Sequence, residues 1–244
     1  MKYLNNLIAA FVLIAAFALY SCSNDDEIPG SGEGKLGFAF VLNNSSSSSP
    51  NSRVQNSKLT IESGFIQIKE LEFEVEGRNE TGSFEREFEI RFNDIRKVTF
   101  DQFDESTDFF VNIEAGEYKE IELELDLIDH RNEPSIYIEG TYEFEDGSSL
   151  PVVFEHFGDD IDFEVEIEGE DDDAYFLIDS RNNPLALFEI SAGNWFRGVS
   201  DSAFENAEVT DGVILISRTS NRNIYSRVKN NIEEFADIEI ELKN

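Results

Sequence analysis

The sequence predicts a mainly β protein, an antiparallel β-sandwich with one C-terminal helix. Three observations predict it. Long stretches alternate apolar and charged residues with period two, as in Glu120-Ile121-Glu122-Leu123-Glu124, the pattern of a strand with one face buried. Turn signals such as Ala115-Gly116, Asp146-Gly147 and Arg181 to Pro184 separate these stretches at short spacing. Only one segment, after Ser220-Asn221, repeats its apolar residues with helical period. The chain of 244 residues is strongly acidic, with 52 Asp and Glu against 19 Lys and Arg and a net charge of −33. Its 40% hydrophobic content, including 22 Phe, is nonetheless enough to build a packed core, so the acidity is not that of a disordered tail.

Taken in order, the amino terminus carries Lys2 and then an apolar run at residues 7–19, which at thirteen residues is short for a membrane span and has the length of a secretory h-region. Residues 1–21 read as a signal peptide. Leu19-Tyr20-Ser21-Cys22 resembles the bacterial lipobox, and Cys22 is the only cysteine of the chain, so it is the expected lipidation site. Ser23 to Glu27 resembles the acidic surface-export signal that follows the lipidated cysteine in Bacteroidota lipoproteins. The expected place of the protein is the outer membrane, held by the lipid on Cys22 and exposed at the cell surface. Residues 22–34, polar and Gly-containing, read as a flexible acidic tether. A β-sandwich domain is expected over 35–196 and a strand-helix-strand extension packed on it over 197–244.

Within the domain, 36–42 is apolar enough for a buried first strand. Residues 43–57, with five consecutive Ser and a Pro, form a loop. Alternation then runs through 59–61 and 65–68 and resumes at 71–75 with its phase changed by one residue across Lys69-Glu70, which predicts a β-bulge there. Further strands are expected at 84–92, 97–101, 109–113, 118–127, 135–144, 150–157, 161–168, 175–178, 185–190 and 213–217. Ser220-Asn221 is the expected cap of a helix whose Ile224, Val228, Ile232 and Phe235 share one face. A last alternating run, 238–242, returns the chain to a strand.

The segment AGEYKEIELEL from Ala115, taken with FIQIKELEFEV from Phe65 and the strand at 136–144, resembles a hairpin arrangement of uncharacterised Bacteroidota lipoprotein domains of unknown function. The resemblance spans about 35–168 and implies a prealbumin-like or immunoglobulin-like sandwich; it carries over no catalytic residue. A second likeness, to fimbrillin-type lipoproteins, rests on the sandwich pattern and the lipobox.

Composition removes several functions. A net charge of −33 without any Lys/Arg stripe repels a phosphate backbone, which excludes nucleic-acid partners. One Cys forms no intramolecular disulfide, and two His are too few for a zinc constellation of the usual spacing. No phosphate-binding Gly-rich loop supports nucleotide chemistry. His130 and His156 stand beside no nucleophile-elbow pattern, and both are expected at the surface. Glutamates at alternate strand positions read as the solvated face of a half-buried sheet rather than as a glycosidase pair. If two such strands are neighbours, their carboxylates face each other.

Three features carry candidate sites. Asp159, Asp160 and Asp162 after Gly158, and Asp171, Asp172 and Asp173 after Glu170, gather hard oxygen ligands in turns, as Ca²⁺ requires; Asp104, Glu105 and Asp108 form a poorer group. Trp195, the only Trp, lies between Asn194 and Phe196-Arg197, a setting in which an exposed ring stacks on a sugar. Asp201-Ser202-Ala203 resembles an O-glycosylation acceptor of exported Bacteroidota proteins. The expected function is that of a non-catalytic binding or structural module meeting a glycan or an envelope protein. The alternative is a calcium-dependent glycan-binding protein or one that processes glycans with its carboxylates.

Overall fold

The alternation that begins at Leu59 continues through 21 residues as a single strand, because the bulge inside it restores the apolar face instead of ending it. The structure, a computed structural model, describes residues 27–28, 34–42, 58–79, 81–100, 109–169, 175–190, 192–234 and 238–242. In chain order the strands are β1 (Glu27–Ile28), β2 (Gly34–Leu42), β3 (Leu59–Asn79), β4 (Gly82–Thr99), β5 (Phe109–Ile113), β6 (Gly116–Leu127), β7 (Ile136–Glu143), β8 (Ser149–His156), β9 (Phe163–Gly169), β10 (Phe176–Ile178) and β11 (Leu185–Ile190). Helices α1 (Ala192–Trp195) and α2 (Asp201–Glu205) follow, then β12 (Ile214–Ile216), α3 (Arg222–Glu234) and β13 (Ile238–Leu242). Among the described residues no helix is long and apolar enough to cross a membrane.

Two sheets result. One runs β1-β5-β2-β11; the other runs β12-β8-β7-β3-β6-β9-β13, with β4 added to β3 and β10 to β6. β3 organises the larger sheet. Its first part pairs with β7, from Leu59 opposite Tyr142 to Ile66 opposite Ile136, and its second part with β6, from Ile68 opposite Leu127 to Arg78 opposite Glu117. The register breaks between Ile68 and Glu70, the bulge anticipated from the phase change. Across it, β4 runs on as one strand where the sequence suggested two, since the irregular stretch between Arg91 and Arg96 is absorbed opposite Lys69.

The inward residues of both sheets belong to one core: Leu36, Phe38, Phe109 and Val111 from the smaller sheet, and Leu71, Phe73, Leu123, Leu125 and Val165 from the larger. Ile214, Ile224, Val228 and Ile232 of the C-terminal segment join the same cluster. Among the described residues the fold is therefore mainly β, with two sheets and no closed barrel.

Three expectations need correction. The sheets are mixed, not antiparallel: β1–β5, β2–β11, β8–β12 and β9–β13 are parallel pairs. Each of these pairs lies at the end of a sheet path, where a strand arriving by a long connection can add in either direction. The helical content is not one helix, because α1 and α2, of four and five residues, are too short to show a period. The tether is not wholly without structure either: Glu27 and Ile28 pair with Phe110 and Val111.

Candidate functional site: a carboxylate face and a buried histidine

Strand pairing brings the alternating glutamates into register on the outer face of β4-β3-β6-β9. Glu89, Glu72, Glu124 and Glu164 form one row; Glu87, Glu74, Glu122 and Glu166 a second; Glu85, Glu76, Glu120 and Glu168 a third. In the backbone register of β13, Glu239 stands at the position of Glu166 and Glu241 at that of Glu168. Strands lie about 4.8 Å apart and alternate residues about 6.8 Å apart along a strand, so the rows make a two-dimensional grid of carboxylates. The apolar residues between them, such as Phe73, Leu123 and Val165, point to the core and hold the registration. A groove of about 540 Å³ crosses the first two rows, lined among others by Glu74, Glu87, Glu122 and Glu166.

Cations stand at the margins of this grid. Arg91 pairs with the buried Glu70 at 3.1 Å and with Glu89, Lys119 lies 3.8 Å from Glu76, and Lys69 lies 3.8 Å from Asp126. Burial and crowding raise the proton affinity of individual carboxylates within the grid. Glu166 is pushed up to about 7, first by its hydrogen bond with Glu168, then by burial and by the charges of Glu168, Glu120 and Glu122. Burial, followed by neighbouring carboxylates, also raises Glu124.

The expected calcium ligands separate. Asp162 sits with Glu124 and Asp126, their carboxylate oxygens within 4.8 Å of one another. Asp160 is not a metal ligand in this arrangement, because Arg218 Nη2 donates to its Oδ1 at 2.6 Å and Lys229 Nζ stands 3.4 Å from its Oδ2. Asp159 lies 3.9 Å from Lys69. Asp171, Asp172 and Asp173, the group at Asp104, Glu105 and Asp108, and Cys22 lie outside the described residues. Trp195 is 2% exposed and packs on Phe100 and Phe163, so its ring has no open face for a sugar and the stacking role is withdrawn. Ser202 is exposed within α2, which Ser200 caps by accepting from Ala203 N at 3.2 Å.

His130 is exposed, whereas His156 is fully buried, against the surface expectation. Its neighbours are polar residues drawn from distant parts of the chain. Tyr225 Oη of α3 lies 2.9 Å from His156 Nδ1, and Arg218 Nε donates to the same hydroxyl at 3.1 Å. The second ring nitrogen, Nε2, is 3.1 Å from Asp160 Oδ1, at a geometry too bent for a regular hydrogen bond. Burial first, then Arg218 and Lys229, hold the imidazole down to about 4 against the opposing pull of Asp160. It is neutral at pH 7. No local motif announces this cluster, because its members come from β8, the following turn, the loop after β12 and α3.

No family model, curated protein or solved structure matches the chain.

Proposed function

We propose that this chain is a lipid-anchored cell-envelope protein that acts without catalysis as a binding module, and that the carboxylate grid is its contact face. The observation that carries the reading is the registration of three glutamate rows across neighbouring strands. Like charges directly opposite one another destabilise a sheet. A face that repeats this arrangement on every strand suits a partner that brings cationic groups, such as a Lys/Arg-rich segment of another envelope protein, and does not suit nucleic acid or an anionic lipid surface. The sandwich reading is supported by the shared core of the two sheets and by Tyr118, whose hydroxyl donates to the Glu114 carbonyl just before the Ala115-Gly116 turn, the kind of corner bond found in Greek-key sandwiches.

The test is titration of a lysine-rich peptide into the protein at low salt. Replacing Glu74, Glu87, Glu122 and Glu166 by Gln should reduce affinity at least tenfold, whereas neutralising Glu133 and Glu208, away from the grid, should not. Equal binding by all variants overturns the contact face. Anchoring is tested separately: Cys22→Ala should abolish lipid labelling and release the protein from the membrane fraction, and unchanged fractionation would refute it. Surface display is tested by adding protease to intact cells, where protection places the protein on the periplasmic side.

The convergence of Glu124, Asp126 and Asp162 favours a second reading, in which Ca²⁺ binds at one corner of the grid. In that case Asp126→Asn abolishes a thermal shift produced by 1 mM CaCl₂ while leaving peptide binding in place.

A further inference from the structure

His156 ends β8 with its ring packed parallel to that of Tyr225, centroids 6.2 Å apart, and Tyr225 in turn stacks on Phe154 at 5.7 Å. The protons of this cluster can be assigned from its donors. Arg218 Nε has only hydrogen to offer, so Tyr225 Oη accepts from it and gives its own proton to His156 Nδ1. Nδ1 is therefore the acceptor, and the ring proton sits on Nε2, facing Asp160. Asp160 is placed by the turn at Gly158, whose φ of +122° favours glycine, and its oxygens also hold Arg218 and Lys229. One buried imidazole thus joins the end of β8, the β8–β9 turn, the loop at residues 217–220 and α3.

We propose that His156 and Asp160 form an acid-released latch that holds α3 and the loop at residues 217–220 against β8. Protonating Nδ1 turns an acceptor into a donor. The Tyr225 hydroxyl then meets two donors, Arg218 Nε and the imidazolium, and its own proton loses its partner inside the packed cluster. The new charge lies between Arg218 and Lys229. Asp160 is the carboxylate in contact with it, while Asp159 is engaged by Lys69 and Glu233 by Lys229. Ser135, the neighbour before β7, donates its backbone N–H to the His156 carbonyl at 2.8 Å and its hydroxyl to the Gly158 carbonyl at 2.6 Å, so its hydroxyl proton is spent on the turn and not on the ring. Adding a proton therefore weakens the contacts that dock α3, and the imidazole's descent to about 4 expresses the same opposition. Release would uncover the apolar face formed by Ile224, Val228 and Ile232. The proposal is independent of what the carboxylate grid binds.

Trp195 reports on the latch, since Asn231 of α3 donates to its carbonyl at 2.8 Å. The experiment follows the full chain from pH 7 to pH 3 by Trp195 emission, by far-UV circular dichroism and by ¹⁵N spectra of the two imidazoles. The expected result is a neutral Nε2–H tautomer for His156 at pH 7 and a His156 titration midpoint at about 4. Trp195 emission should move to longer wavelength with the His156 midpoint while the β signal persists. His156→Gln should remove this transition, and Tyr225→Phe, which deletes only the hydroxyl given to Nδ1, should move it up by roughly one pH unit. If His156→Gln does not fold, the wild-type imidazole spectra still decide. Titration of His156 at the ordinary histidine value of about 6.5, an emission shift that survives in His156→Gln, or no emission change before the β signal is lost would each overturn the latch.

Discussion

Gly140 of β7 faces Ile61 where β3 departs from regular pairing, and a β-carbon built there would stand 2.4 Å from the Thr60 carbonyl oxygen. A backbone atom in a paired strand cannot step aside, so Gly140→Ala should destabilise the fold by roughly 3 kcal/mol, read as a lower urea midpoint at unchanged slope. An unchanged midpoint would mean that the strands do not approach so closely. Tyr118→Phe should cost about 1 kcal/mol by deleting the hydroxyl bond to the Glu114 carbonyl while keeping the ring buried. The roles of these two residues differ in legibility. Tyr118 opens an alternating strand just after a Gly turn, and both features are local in the sequence. Gly140 shows only as a gap in an alternating run, since the carbonyl that excludes a side chain belongs to a strand far away in the chain. His156 is the extreme case: nothing near it in sequence signals burial, because Arg218, Tyr225 and Lys229 supply its surroundings.

Among the elements, α3 depends on one polar residue on its buried side. Asn231 is 5% exposed and donates to the carbonyls of Trp195 and Arg197, both at 2.8 Å, tying α3 to α1 and the turn that follows it. Asn231→Ala leaves two carbonyls without that donor and should cost roughly 1–3 kcal/mol, with Trp195 emission shifted to longer wavelength at pH 7. A loss near zero would show that packing of Ile224, Val228 and Ile232 alone fixes the helix. The apolar face of α3 was legible because its residues recur at helical spacing; the role of Asn221 was not. Instead of capping α3 with its side chain, Asn221 accepts from Glu208 N and donates to the carbonyls of Glu208 and Leu215, binding the preceding loop to β12. Strand bounds at Leu185–Ile190 and Ile238–Leu242 coincide with the alternating runs read from sequence. Strand direction does not follow from such runs, since alternation reads the same both ways, and the four parallel pairs went unseen for that reason. The irregular stretch of β4 between Arg91 and Arg96 also gives its outer edge a break in regularity, which disfavours pairing with another chain.

At the scale of the whole molecule, the glutamate rows were half legible. Each strand shows its outward glutamates plainly, but a slip of two residues keeps every side chain on its own face, so alternation cannot say which glutamates meet. The pairing settles it, with Glu74 opposite both Glu87 and Glu122, and Glu166 opposite Glu122. Repulsion across this grid should ease as the Debye length contracts from about 30 Å in 10 mM salt toward about 3 Å at 1 M. The melting temperature at pH 7 should therefore rise by roughly 5 °C or more between 10 and 500 mM NaCl, and the Gln variant of the second row should be more stable at 10 mM and respond less to salt. Acid acts on two groups with opposite signs. Glu166, raised to about 7, contributes stability that is full below the ordinary carboxylate value and is lost as pH rises through about 7. His156, lowered to about 4, contributes stability that is full above 6.5 and is lost as pH falls through about 4. From pH 7 to about pH 6 Glu166 gains its proton while most of the His156 contribution is still present, and at lower pH the His156 loss catches up, so stability at 10 mM NaCl should pass through a maximum on the acid side of neutrality. Glu166 is solvent-accessible and screened, whereas His156 is buried and is not. Raising NaCl to 500 mM should therefore flatten the neutral limb of the profile and leave the acid limb in place. A profile whose two limbs respond equally to salt would show that the acid limb arises from the surface carboxylates and not from the buried imidazole.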